Sequence, residues 1–537
     1  MNHMKKYIYI SILCSMSALL SSCNDWLTEE GPMVTNAKDF FTSGETATQC
    51  VNAAYAPLMW EYNTTYYPEW FIGDVVSDDA LKGGQTLLDM SDVYDLENFK
   101  TISNNGLLLD YYRAQYQGIA RCNLAIEEIP AINLDESIDE KLRDRLTGEA
   151  QFLRAMYYFR LVRMFGGVPK VDFVVYSSDL WKQPRATKDA IYELIISDLK
   201  DAEAKLWKKS EYEDKDLGRA TKGAAQAMLL KAYLYMHNYS EAKKWGEAIK
   251  IQEAAGEYDL CGNYADNFTL EGENGIESVF EIQYMNDETS DYGEGNGFTR
   301  GTFTTILTRS RSTAFGSSSA GWGFNKPTQD LYNEFENSDP RRDVTILNPT
   351  DAEIINSTEE IYLGSRYCNR KYSMMGQDGK YIPLSHASRS PLNYRVIRYA
   401  DVLLMYAEAC CEENATTEAK AALEKVRSRA RGNNPAILPE FPGYNNYQDT
   451  KDDLMKAIRH ERRVELAMEG HRWFDLCRWN IAKKTMDAYK ANETPEARAE
   501  MADFIEGKHE LFPIPQEEVN LGGLEQNPGY KNTNDQE

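Results

Sequence analysis

The chain has 537 residues, 42% of them hydrophobic and 12% aromatic, enough to bury a large core and, on length alone, to form several domains. Its formal net charge of −25 argues against a nucleic-acid or anionic-lipid surface, since both require clustered positive charge that no stretch supplies. Nine cysteines are scattered without CxxC spacing, so neither a structural zinc site nor a regular disulfide framework is indicated.

The N-terminus carries Lys5 and Lys6, an apolar run over 7–20, and then Leu20-Ser21-Ser22-Cys23, the three parts of a secretory signal. The run is too short to stay in a bilayer as a spanning helix. Its end resembles the lipobox of bacterial lipoproteins, in which the cysteine takes a diacylglycerol, the peptide is cut before it and the new amine is acylated. Residues 1–22 are then a removed signal, and 23–537 form one mature domain anchored through Cys23, each buried methylene adding about 0.8 kcal/mol. The acidic start at Asp25, Glu29 and Glu30 resembles the surface-export signal of lipoproteins in Bacteroidetes-type bacteria, which implies the outer face of the outer membrane. With Cys14 removed and Cys23 lipidated, seven cysteines remain, expected as buried free thiols, with a single disulfide as the alternative.

Further along, Leu153, Met156, Tyr157, Leu161 and Met164 recur at helical spacing over 149–165, and Gly166-Gly167 with Pro169 form a stop. A second helix presents Ile191, Leu194, Ile195, Leu199, Ala202 and Leu206 on one face. A third runs over 220–236, turns at His237-Asn238-Tyr239 and restarts with Ser240 as the N-cap of a helix through 249. Small residues such as Ala224, Ala227, Ala232 and Ala242 sit where the two would touch, as in a tetratricopeptide-type hairpin. The pattern returns over 399–411 and 417–429, and Thr450-Lys451-Asp452-Asp453 reads as a capping box. The expected fold is mostly α, with tetratricopeptide-like hairpins stacked into a curved scaffold.

Two stretches break the pattern. Residues 259–391 and 60–105 are rich in Gly, Ser, Asn, Thr and aromatics, with short apolar runs such as Val279-Phe280-Glu281-Ile282. They read as long loops and short strands, and loops of that length in a compact domain usually bind something.

Catalytic signatures are missing: His460-Glu461-Arg462-Arg463-Val464 lacks the second histidine of HExxH, and no nucleophile elbow or phosphate-binding glycine loop is present. A glycosidase needs only two carboxylates at no fixed spacing, so sequence alone neither shows nor excludes one. The densest charged segment, 458–479, sets Arg459 with Arg463 and Glu461 with Glu465 on shared helix faces. An ion-pair lattice locking helices in register is the expected role, and an anionic-ligand site the sharper alternative.

That segment, with Glu149-Ala150-Gln151-Phe152-Leu153-Arg154-Ala155-Met156-Tyr157-Tyr158-Phe159, Tyr399-Ala400-Asp401-Val402-Leu403-Leu404-Met405-Tyr406-Ala407-Glu408-Ala409, Leu511-Phe512-Pro513-Ile514-Pro515 and Gln526-Asn527-Pro528-Gly529-Tyr530, resembles the SusD/RagB family in order along nearly the whole chain. The resemblance implies a non-catalytic surface lipoprotein that captures glycans, or sometimes peptides, and lids a SusC-like TonB-dependent outer-membrane transporter. It also implies that ligand is bound by divergent loops, through aromatic faces that stack on sugar rings and polar groups that orient hydroxyls. The candidates are Tyr66, Tyr67, Trp70 and Tyr94 in the first stretch and Tyr292, Phe298, Phe315 and Trp322 in the second, with Asp291, Asn296 and Arg300 as hydroxyl partners. No cofactor is expected, although the acidic run 287–294 has the oxygen ligands a structural Ca²⁺ takes. Asp74, Ser77, Asp78 and Asp79 resemble a further family segment and are expected to form a solvated acidic loop. The rival functions are a peptide-capturing member of the same family, a surface glycosidase and a purely structural lipoprotein.

Overall fold

The computed structural model describes residues 40–61, 68–288, 299–316, 320–354 and 361–530. Cys23 therefore lies outside the described residues. Helix α1, Gly44–Tyr55, opens with a reciprocal capping box between Ser43 and Thr46. A short helix α2, Ser91–Glu97, lies in the first loop-rich stretch. Then come α3, Gly106–Glu128, and α4, Glu140–Phe165, packed along each other. α4 starts nine residues earlier than its apolar stripe, because the Asp139 carboxylate caps it by accepting from Leu142 N at 2.8 Å. It stops at Gly166, whose φ is +71°.

α5, Lys188–Lys205, lies against α4, followed by the pair α6, Lys222–Tyr235, and α7, Tyr239–Ala254. The cap of α7 is Asn238, not Ser240: the Asn238 side chain accepts from Glu241 N at 3.2 Å, and Ser240 is already inside the first turn. α7 packs on α8, Tyr399–Glu412, which pairs with α9, Thr416–Arg431. The α7–α8 approach is close enough that a Cβ at Gly246 would sit 2.4 Å from the Tyr406 ring. The hairpins are tetratricopeptide-like and the fold is mostly helical, as the periodicity predicts. α10, Lys451–Leu466, is capped by Thr450, which accepts from Asp453 N at 3.2 Å. The box is only half closed, because the Asp453 carboxylate accepts from Gln448 N instead. α11, Arg472–Arg478, and α12, Ala482–Asn492, follow.

Among the described residues the strands form three two-stranded antiparallel ladders. β1, Ala80–Gly83, pairs with β3, Phe324–Pro327; β2, Ser278–Ile282, with β6, Tyr394–Arg398; β4, Ile346–Leu347, with β5, Cys368–Asn369. The β1–β3 register, Ala80 opposite Pro327 and Gly83 opposite Phe324, ties the first loop-rich stretch to the second.

The charged segment is core. Glu465 on α10 receives Arg398 Nη1 at 2.5 Å, Arg429 Nη2 at 2.5 Å and Arg341 Nη1 at 3.0 Å, while Glu461 receives Arg341 and Arg427. Arg463 pairs with Asp78, Asp79, Asp330 and Glu334. The expected register lock is what these contacts build. The expectation of a solvated acidic loop at Asp74, Ser77, Asp78 and Asp79 is overturned: all four are buried. Asp78 meets Arg472 twice at 2.8 Å, and Asp74 accepts from Gly470 N at 2.8 Å, so the segment is clamped to the far end of the chain. All seven cysteines from Cys50 to Cys477 are free thiols, five of them buried.

Candidate functional site

The loop face is pinned from beneath by one buried acid. Glu61 accepts from Tyr284 Oη at 2.9 Å, Thr302 Oγ1 at 2.6 Å, Phe303 N at 2.8 Å and Thr304 N at 3.2 Å. Thr304 Oγ1 donates to it as well, at 3.1 Å; burial raises its pKa, and these hydrogen bonds work against that rise. The segment 299–304 thus emerges from the helical body in one fixed orientation.

The next turn is built on its own backbone. Gly321 N donates to Ser310 O at 2.7 Å, Trp322 N to Ile306 O at 2.9 Å and Gly323 N to Arg309 O at 3.0 Å. Glycine is required at 321, where a Cβ would lie 2.2 Å from Arg309 Cβ. Arg309 is buried and donates to the carbonyls of Ser373 and Ile382 at 2.7 Å, with Tyr381 4.8 Å beneath it; burial lowers its pKa to about 10. Beyond the turn, Asn325 donates to Asp74 at 3.1 Å, and the β1–β3 ladder begins.

Five of the eleven candidate ligand residues fall on described residues. Trp322 is half-buried, its ring 6.0 Å from Phe303. Arg300 is exposed and pairs with Asp287 at 2.9 Å. Tyr94 is half-buried on the rim, its hydroxyl donating to Glu500 and accepting from Lys100. The structure corrects the other two. Trp70 is 1% exposed, tilted against Phe71 with its Nε1 donating to Thr304 Oγ1 at 3.1 Å, so no sugar can reach its face. Phe315 is 4% exposed and packs on Tyr381. Tyr66, Tyr67, Asp291, Tyr292, Asn296 and Phe298 lie outside the described residues, as does most of the acidic run 287–294. Of that run, Asp287 pairs with Arg300 and Glu288 with Arg389. Among the described residues no group of three His, Cys, Asp or Glu is placed to hold a metal ion.

The second loop-rich stretch also exposes groups the sequence did not single out. Met285 and Ile382 are exposed, and Ser385 donates to Asn286 at 3.2 Å. A separate aromatic surface was also missed: Trp181, 51% exposed, lines a groove of about 490 Å³ with Tyr112 and Tyr116. Its signal was a 22-residue connection between α4 and α5 that carries Tyr176 and Trp181.

Several carboxyls have the raised pKa a general acid needs, and burial is the leading cause in each. Asp74 and Glu97 are pushed up to about 7 and Asp79 to about 6. All three are buried, Asp74 and Asp79 inside the clamp and Glu97 under the Lys82 amide at 2.9 Å, where a substrate cannot touch them. Glu273, also raised to about 7, accepts from Asn393 N at 2.7 Å.

Two family models match the chain. One, described as the SusD family, covers 276–530, and the other, described as "Starch-binding associating with outer membrane", covers 25–234. SusD-like protein P2 of Formosa agariphila is 27% identical, over 98% of this chain and 100% of its own. Among solved structures, a laminarin-binding SusD-like protein superposes with a TM-score of 0.75 at 27% identity, over 91% of this chain and all of that one. Surface glycan-binding protein A from Bacteroides thetaiotaomicron, in complex with laminarihexaose, superposes with a TM-score of 0.74 at 25% identity, over 90% and 99%. With both family models falling in order on the helical scaffold and the loop face described above, the chain belongs to the SusD/RagB family.

Proposed function

We propose that this protein is an outer-membrane lipoprotein, anchored through Cys23, that captures a glycan without cleaving it and hands it to a SusC-like TonB-dependent transporter. The observation that supports the reading is the joining of the two loop-rich stretches by the β1–β3 ladder, which begins just after Trp322, together with the bonds from Thr302 and Phe303 to Glu61 that pin the segment carrying Arg300. A half-buried indole and an exposed guanidinium on the same loop-rich stretch have the chemistry of sugar capture: a flat face for ring C–H groups and donors for hydroxyls. Laminarin is the first ligand to test, because relatives of the same fold at 25–27% identity are named for binding it or were solved with its hexamer.

The test is affinity electrophoresis in gels containing laminarin, with Trp322→Ala and Arg300→Ala introduced together. Retention of the native chain and faster migration of the variant, at an unchanged melting temperature, is the expected outcome. Equal retardation of both would reject this surface.

A further inference from the structure

A deep concavity lies on another part of the molecule. It encloses about 830 Å³, within the roughly 300–1,000 Å³ typical of small-ligand sites, between α10, α12 and the short helix Gln329–Glu334. It shares no lining residue with the loop face around Trp322.

Its wall carries four carboxylates, and each is already met. Asp78 and Asp330 face Arg463 at 2.9 and 2.7 Å. Glu334 receives His460 Nδ1 at 2.7 Å, and Glu336 receives Arg427 at 2.9 Å. Two cations on the same wall are not met: neither Arg459 nor Lys484 has a carboxylate partner among the described residues. The Arg459 guanidinium instead lies over the Trp479 ring, its Cζ 4.8 Å from the centroid, and its Nε is shut from solvent with no acceptor among the described residues. A second orphan lines the cavity. Tyr489 is 5% exposed, and its hydroxyl has no hydrogen-bond partner among the described residues. In a chain of net charge −25, a concavity with surplus positive charge and an unsatisfied buried hydroxyl lacks a partner.

We propose that this cavity is a second binding site, for an acidic sugar residue whose carboxylate is taken by Arg459 and Lys484. A planar guanidinium held against the Trp479 ring presents a fork to a carboxylate at low entropic cost, and Lys484 adds a mobile second charge. The amides of Asn445 and Asn492, on the same wall, supply partners for ring hydroxyls. Arg463, which the sequence set beside Arg459 on one helix face, is fully engaged by acids, so the two arginines divide structure and recognition between them.

The experiment is isothermal titration of the full chain with hexagalacturonate and with its methyl ester, which has the same rings without the charge. The acid is expected to bind about tenfold tighter or more. In R459Q/K484Q that preference is expected to vanish, while laminarin retention and melting temperature stay as they are. Lys484 is exposed, so Lys484→Gln alone keeps the fold and is expected to weaken the acid about threefold. Equal binding of acid and ester by the native chain, or an unchanged preference in the variants, overturns the proposal. Trp322→Ala leaves the acid preference intact if the two sites are separate, so a failure of laminarin capture does not decide this test.

Discussion

Glu465→Gln tests the assignment of the charged segment to structure. Glu465 is fully buried and its carboxylate meets Arg398, Arg429 and Arg341. Burial alone would raise its pKa, but the three guanidinium groups override that and hold it well below the usual carboxylate range. The substitution keeps shape and removes one charge. No arginine is orphaned: Arg341 retains Asp339 and Glu461, Arg398 retains Glu277 and Glu469, and Arg429 retains Glu277. Breaking a buried pair costs about 3–5 kcal/mol, and the remaining partners place this variant at the low end, about 3 kcal/mol. Urea unfolding followed by tryptophan fluorescence reads the loss. The linkage has a sign as well. A depressed folded pKa gives stability that is present above the unfolded value, about 4.3, and lost as pH falls below it, so the variant should be less acid-sensitive than the native chain. A loss below about 1 kcal/mol, or lost laminarin retention at unchanged stability, would refute the register lock.

Four more outcomes follow from the structure. Burial works against protonation of His460, but the hydrogen bonds it donates to Glu334 and Glu336 raise its pKa to about 9; stability should therefore be full below about 6.5 and fall by roughly 2–3 kcal/mol as pH rises to 9, a slope that His460→Gln abolishes in urea titrations. Trp70→Ala, which empties a core position and removes the indole donor to Thr304, should cost about 3–5 kcal/mol in the same assay. Gly321→Ala drives a Cβ into Arg309, so it should displace Trp322, cost about 1–3 kcal/mol and weaken laminarin retention in the gel assay. Cys23→Ser should abolish labelling by radioactive palmitate and release the protein from the membrane fraction.

Much of the scaffold is legible because helical periodicity is local. Leu153, Met156 and Leu161 announce α4, and Ala224 and Ala232 announce a close hairpin. Helix starts are less legible: Asp139 and Asn238 cap α4 and α7, but nothing in the apolar pattern selects them over Glu149 or Ser240. The site is hardest to read, because its determinants are distant in sequence. Asp79 looks like a loop acid until Arg463, 384 residues away, meets it. Trp70 looks like a binding tryptophan until Thr304 receives its Nε1 hydrogen. In the same way, Arg459 and Arg463 are equivalent on a helical wheel; only the positions of Asp78, Asp330 and Glu334 separate the engaged arginine from the free one.

The central claim, non-catalytic glycan capture, is tested most directly by incubating the purified chain with laminarin and following both retention and chain length. The account predicts retention in affinity gels, with the polysaccharide recovered at its original size after prolonged incubation. Shortened products that persist in Trp322→Ala, or no retention on laminarin or any other glycan of a broad panel, would contradict it.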